Sequence, residues 1–389
     1  MKLRKIKSLA AELPEIVFQV SLMIVLPVFV CTVNVFSQNI ENPQHPVKIG
    51  FVIQESSYMA AVQGAELAIL TANEKGGFNG QHFELVVRSM EGPWGTGSKQ
   101  AVDLIFEEKV WALLGVHDGR NAHLVEQAAA KSEVVFLSAW SGDPTLSQAF
   151  VPWFFNCVPN DNQQAESLIS VIYNNRKFRK VTVIHSNDYD SKMMLNSFTK
   201  SAVKQGESDP LLLNYENYSE RMENLTGKLR EESTDCIVLF CQPSASLKTI
   251  KQIKKAGLNL PVYGSLNILN ENELSAEQLQ EFDNLLMIPS GEWQETGKLK
   301  FMKDYEKKYG KMPGLAASYS YDAVKIIIEA IKEAGSSDRE KIQKSLETII
   351  HKGITGSIQF EERGNRIGKF EIMRTKDGLP LKWEKEIPR

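Results

Sequence analysis

From Val47 onward, apolar runs of four to seven residues alternate with amphipathic stretches. Strands buried on both faces read as near-continuous apolar runs, so this grammar predicts parallel strands joined by crossover helices. Strands are expected at 47–53, 82–88, 110–114 and 134–137, with helices at 60–74, 100–108 and 121–130 between them. A polar, proline-bearing connection at 140–152 closes this first unit. A second series follows residues 158–160: helix 163–174, strand 181–185, helix 191–205, strand 211–214, helix 221–232, strand 236–240, helix 246–256 and strand 262–264. Late helices at 298–309 and 318–334 must be shared between the two units. The last segment, 356–360 with 369–374, predicts a closing hairpin around Arg363-Gly364-Asn365.

The N-terminus departs from this pattern. Lys2, Arg4, Lys5 and Lys7 precede a stretch, 16–40, without a single charged side chain. That layout predicts an export signal at residues 1–37, with Ser37 before the cut and a mature start near Gln38. An uncleaved anchor is the competing reading, because 16–36 is about long enough to cross ~30 Å of hydrocarbon. Either way the rest of the chain is expected outside the cytoplasm, periplasmic or extracellular, with membrane contact only through an uncleaved N-terminus.

The length of 389 residues allows two domains, each large enough for its own core. With 45 basic against 48 acidic residues, no basic field is available for nucleic acid. Removal of 1–37 takes four cations and two acids with it, so the mature chain carries 41 against 46, a charge of -5. Cys157, Cys236 and Cys241 lie in or beside apolar runs and are expected as buried free thiols rather than a disulfide framework.

Catalytic signatures are missing. The chain has no phosphate loop, no Gly-x-Ser-x-Gly elbow, no His-Glu-x-x-His helix and no Gly-x-Gly-x-x-Gly after a strand. The six histidines are scattered, so neither a metal nor another cofactor is expected. What does recur is a polar or aromatic residue just past the carboxyl end of a strand: Tyr58, Trp94, His117, Asp118, Gly119, Arg120, Asn121, Trp140, Ser141, Gly142, Tyr189 and Gln242. In parallel α/β sheets that edge binds ligands, because the following helices aim their N-terminal N–H groups into it. The aromatics Tyr58, Trp94 and Trp140 strengthen the case for a pocket.

An ordered series of motifs carries a family resemblance. It comprises Val47-Lys-Ile-Gly-Phe-Val52, Asn73-Glu-Lys-Gly-Gly-Phe-Asn-Gly80, Phe154-Phe-Asn-Cys-Val-Pro-Asn-Asp161, Tyr305-Glu-Lys-Lys-Tyr-Gly-Lys311, Tyr319-Ser-Tyr-Asp-Ala323 and Gly353-Ile-Thr-Gly356. From about Val47 to about Arg374 the chain resembles solute-binding proteins of the leucine/isoleucine/valine-binding type, which serve ABC importers. The resemblance implies a type I periplasmic binding protein: an α/β protein of two Rossmann-like lobes with parallel sheets joined by three hinge strands. Lobe 1 would comprise 47–158 plus 289–355, and lobe 2 would comprise 159–288 plus 356–389. It implies closure on a small solute without chemistry.

The resemblance also implies roles. A ligand carboxylate would sit near Gly119, Arg120 and the 138–142 turn, with Tyr189 facing it from the second lobe. The acid that receives an α-ammonium falls near Leu266 and the second aromatic near Gln242, and both positions depart from the family pattern. A buried ammonium without a carboxylate partner costs several kcal/mol. The expected solute is therefore small and organic, amino-acid-like or a carboxylate lacking an amine. Delivery to an ABC permease is the leading function; a sensory subunit of the same fold and an enzyme on this scaffold are the alternatives.

Overall fold

The computed structural model describes residues 45–148, 151–289, 295–368 and 370–382; the expected export signal lies outside the described residues. The first sheet is built from β1 (Val47–Ile53), β2 (Phe83–Ser89), β3 (Ala112–Val116), β4 (Phe136–Ser138) and β5 (Phe154–Asn156), all parallel, in the order β2-β1-β3-β4-β5. Side chains of a strand alternate between faces, and the core divides accordingly. Ile49, Phe51, Leu114 and Leu137 pack on one side with helices α1 (Met59–Glu74) and, far along the chain, α10 (Leu315–Ala334). Val52, Leu113 and Phe136 pack on the other with α2 (Thr96–Phe106) and α3 (Gly119–Lys131).

Strand β3 starts two residues later than the pattern predicts. Lys109 takes a left-handed φ of 57°, and the Val110 N–H turns back to the Leu104 carbonyl, so residues 109–110 finish the preceding helix instead of opening the strand. Strand β5, only three residues long, escapes the sequence reading altogether.

The second sheet uses β6 (Val181–His185), β7 (Leu211–Asn214), β8 (Cys236–Phe240), β9 (Val262–Gly264) and β10 (Leu286–Met287), with β6 to β10 mutually parallel. Its helices α4 (Asp161–Ile169), α5 (Tyr189–Lys204), α6 (Met222–Glu231) and α7 (Pro243–Lys255) cover both faces. Helix α4 passes into a wider π turn, Ser170–Asn175. A short α8 (Ala276–Gln280), then α9 (Glu295–Tyr309), α11 (Arg339–Thr348) and the hairpin of β11 (His351–Gly353) with β12 (Gly356–Ile358) complete the described elements before the C-terminal strands.

The predicted closing hairpin of 356–360 with 369–374 does not form. Residues 356–358 pair backwards onto β11, and around Arg363-Gly364-Asn365 the chain makes two isolated bridges, Phe360 with Arg366 and Asn365 with Asn156 of β5, rather than a two-stranded hairpin with 369–374. Strand β13 (Met373–Lys376) instead runs antiparallel to β10 and turns through Asp377-Gly378 into β14 (Leu379–Lys382). Both turn residues have positive φ, 52° and 74°, the backbone that a two-residue hairpin turn requires.

Chain crossings between the halves are held by Arg366, which is wholly buried. Its Nη1 donates to the Cys157 carbonyl at 2.7 Å, and its Nη2 donates to the carbonyls of Thr355 at 3.0 Å and Ser357 at 2.8 Å. Asn160 Nδ2 donates to Asn365 Oδ1 at 3.0 Å alongside. The expected third crossing, just beyond Pro289, runs into residues outside those described. Cys157, Cys236 and Cys241 are buried free thiols, as the sequence predicts.

Candidate functional site

The carboxyl ends of the two sheets face each other, and the connections leaving them carry the polar side chains. Beyond β1 come Gln54 and Tyr58; beyond β3, His117 and Asp118; beyond β4, the 139–143 turn. From the other sheet come Asp188, Tyr189 and Asp190 after β6, Gln242 after β8, and Asn267, Asn270 and Glu273 after β9. Between them lies a cavity of about 50 Å³, lined by Gln54, Tyr58, Asp118, Trp140, Asp190, Gln242, Asn267, Asn270 and Glu273. At ~30 Å³ per molecule this holds one or two waters. A larger solute needs the halves to part.

Helix starts position the site. Asp118 caps α3 by accepting the Asn121 N–H at 2.7 Å, and Asp188 caps α5 by accepting the Ser191 N–H at 2.9 Å. Capping α3 leaves the Gly119 N–H pointing across the cleft, where Asp190 Oδ1 accepts it at 2.9 Å. The other oxygen of Asp190 receives Asn267 Nδ2 at 3.4 Å. A Cβ on Gly119 would lie 2.5 Å from the Asp143 Cβ, so the close approach requires glycine.

Further contacts join the halves. Tyr189 Oη donates to Asp143 Oδ2 at 2.8 Å, Tyr58 Oη donates to Glu273 Oε1 at 2.9 Å, and Asn272 Oδ1 accepts the Ala60 N–H at 2.9 Å. Glu271 reaches the start of α10 and accepts the N–H groups of Ala316 and Ala317 at 2.8 and 2.7 Å, serving as a cap that Gly314 has no side chain to provide.

Electrostatics separate these carboxyls. Burial, then the charge of Asp118, pushes Asp190 up to about 8, against the pull of the Gly119 N–H. Burial also drives Asp161 well above the usual carboxylate range, with Asp190 and Asp143 adding to it. For Asp143, burial works upward too, but hydrogen bonds from His123, Thr145 and Tyr189 outweigh it and hold the group low. His123 is raised to about 9 by its bonds to Asp143 and Glu126.

Of the residues expected from sequence, Tyr58, Asp118, Trp140 and Gln242 line the cavity. Trp140 is buried and meets Tyr319 edge-on, ring centres 6.4 Å apart. Gly119 and Tyr189 sit at the contact between the halves, and Ser141 and Gly142 form the adjoining buried turn, whose Gly142 carbonyl accepts the Asp161 N–H at 2.7 Å. Four positions lie elsewhere. Trp94 is 62% exposed, and Arg120 stacks over it 4.1 Å from the ring centre, so this pair satisfies itself on the surface. His117 is buried in a stack against Phe136, and burial pushes its pKa down. Leu266 packs into the core, and its backbone N–H goes to Gln164 Oε1. Asp190, Glu273, Asn267, Asn270 and Gln54 are the additions that the sequence reading lacks.

This architecture defines a two-lobed solute-binding protein. The sequence profile of the periplasmic binding protein family matches residues 46–378, and the chain belongs to that family. Its fold is the type I fold of the leucine/isoleucine/valine-binding type. The leucine-, isoleucine-, valine-, threonine-, and alanine-binding protein of Pseudomonas aeruginosa is 21% identical over 330 residues, covering 84% of this chain and 85% of that one. A branched-chain amino acid transporter substrate binding protein of Streptococcus pneumoniae, in complex with isoleucine, superposes with a TM-score of 0.72 at 20% identity, covering 86% of this chain and 97% of that one. An ABC transporter solute binding protein of R. palustris, in complex with benzoate, gives 0.71 at 17% identity, covering 86% and 95%. The family establishes a solute-binding role and implies an extracytoplasmic location; family and fold are those of binding proteins, not enzymes.

Proposed function

We propose that the protein captures a small organic solute between its lobes outside the cytoplasm and delivers it to an ABC importer. One observation carries the reading. Both sheets aim their carboxyl ends at one cavity, and the Gly119–Asp190, Tyr189–Asp143 and Tyr58–Glu273 hydrogen bonds between those ends each use a side chain that a parting of the lobes would release. Closure then stabilises whichever solute restores those contacts. Arg366 and the crossings it binds lie away from the cavity lining, as a hinge requires. The relatives that serve transporters support the importer as recipient. The amino-acid-like or carboxylate solute expected from sequence meets an obstacle in Asp190, which already accepts the Gly119 N–H.

The test is to purify the protein from an overproducing cell, identify the small molecule that travels with it by mass spectrometry, and measure scattering with and without it. A bound metabolite and a smaller radius of gyration are expected on its return. Curves that match with and without every compound tried would remove the closing mechanism.

A further inference from the structure

We propose that Asp190 determines specificity: its carboxylate occupies the anion seat at the start of α3, so the solute is a small organic cation, an amine without a carboxylate at that seat. This deepens the solute-binding reading and rests on it.

A helix start at the carboxyl edge of a sheet favours negative charge, and the first free N–H of α3 is the group an incoming carboxylate would use. Here Asp190 Oδ1 already accepts it, at 2.9 Å, from a side chain only 9% exposed. A second carboxylate there would have to displace Asp190 from the Gly119 N–H and would meet Asp143, whose hydrogen bonds favour its ionised form, in a site screened from water. Among the described residues, neither lysine nor arginine lines the cavity. Its acidic lining is Asp118, Asp190 and Glu273; its amide lining is Gln54, Gln242, Asn267 and Asn270; its aromatic walls are Tyr58 and Trp140. Carboxylates, amide oxygens and an indole face are groups that receive an ammonium. Asp190 itself is pushed up by burial and by Asp118, Asp188 and Asp143, and an adjacent cation relieves that opposition.

The experiment titrates the full-length protein calorimetrically with matched pairs: ethylamine against acetate, and benzylamine against benzoate. The wild type is expected to bind the amine of a pair at least about tenfold more tightly than its acid, which is a difference of ~1.4 kcal/mol. Asp190→Gly opens the seat and is expected to gain acid binding by about tenfold or more. Asp190→Asn keeps an oxygen for the Gly119 N–H, and it is expected to lose the amine preference without gaining acids. Circular dichroism establishes that both variants fold. An acid bound as tightly as its amine by the wild type overturns the assignment, as does a folded Asp190→Gly that gains no acid. A co-purifying carboxylate lodged at α3 would end this inference while leaving the solute-binding reading intact. A protein that retains nothing and answers to no compound fails both.

Discussion

Arg366 and Asp190 are both buried ionisable groups that tie the halves of the molecule together, and they are held in opposite ways. Arg366 sits at the crossings, donating to backbone carbonyls of Cys157, Thr355 and Ser357 that the sheets and hairpin fix in place. Asp190 sits at the cleft, where it receives one N–H and one long amide bond while Asp118, Asp188 and Asp143 oppose its charge. A guanidinium stays charged in any protein environment, whereas a crowded carboxyl titrates near neutrality. Under the proposed closure, the difference makes Arg366 a permanent staple at the crossings and Asp190 a releasable latch at the cleft.

The largest expected effect breaks the staple. Arg366→Met strands three carbonyls at ~1–3 kcal/mol each, so a loss of about 4 kcal/mol is expected, read as a lower urea midpoint. Arg366→Lys keeps the charge but not the forked donors and is expected to fall between. If Arg366→Met cost no more than removing the charge of Asp190, the contrast between staple and latch would vanish.

Trp140→Ala comes next, because it removes a buried indole beside the cavity. A stability loss of about 3 kcal/mol is expected from the void alone. Affinity for the co-purifying solute is expected to drop by more than ~1 kcal/mol if the indole forms the wall on which the solute rests. Unchanged affinity would place the solute away from Trp140 and leave Asp190 without an aromatic counterpart.

How far these two charges were legible beforehand shows what a sequence carries. The runs at β1, β6 and β8 were plain, because a strand covered on both faces is near-continuously apolar. Strand β10, two residues long, leaves too short a pattern to register, and β5 lies in the stretch between the two predicted series. The closing hairpin failed because Gly356–Ile358 and Met373–Lys376 each found a better partner in space, which local alternation does not encode. The strand-end rule picked out Tyr58, Asp118, Trp140 and Gln242, which line the cavity, whereas Trp94 lies on the surface with one arginine stacked over it. Leu266 was one residue from Asn267, which faces the cavity. Asp190 was hidden in plain view, since an acid in the first turn of a helix has an ordinary explanation in the helix dipole. Its reach across to Gly119 is a tertiary fact.

The latch also predicts a pH signature. With its carboxyl raised from the ordinary 3.8 to about 8, Asp190 binds a proton more tightly folded than unfolded. Its contribution is fully present below the unfolded value and is lost as pH rises through about 8. His123 and His351, both raised to about 9, likewise lose their contributions as pH climbs through that value. The thermal midpoint is therefore expected to fall from pH 5 to pH 9, and Asp190→Asn is expected to make the fall shallower, with a gain of about 1 kcal/mol at pH 8. Identical slopes in variant and wild type would mean that Asp190 ionises normally and latches nothing.

The smallest expected effect sharpens the comparison by asking whether Asp190 acts alone. Tyr189→Phe deletes the neighbouring contact to Asp143, yet that carboxylate keeps the Thr145 N–H at 2.8 Å and His123 Nε2 at 3.3 Å. The loss is expected to stay near 0.5–1 kcal/mol, one replaceable hydrogen bond. The ratio of amine to acid affinity is expected not to move, because the Gly119 seat remains filled. A shift in that ratio would spread specificity over the whole start of α5, and the single carboxylate would become one voice in a cluster.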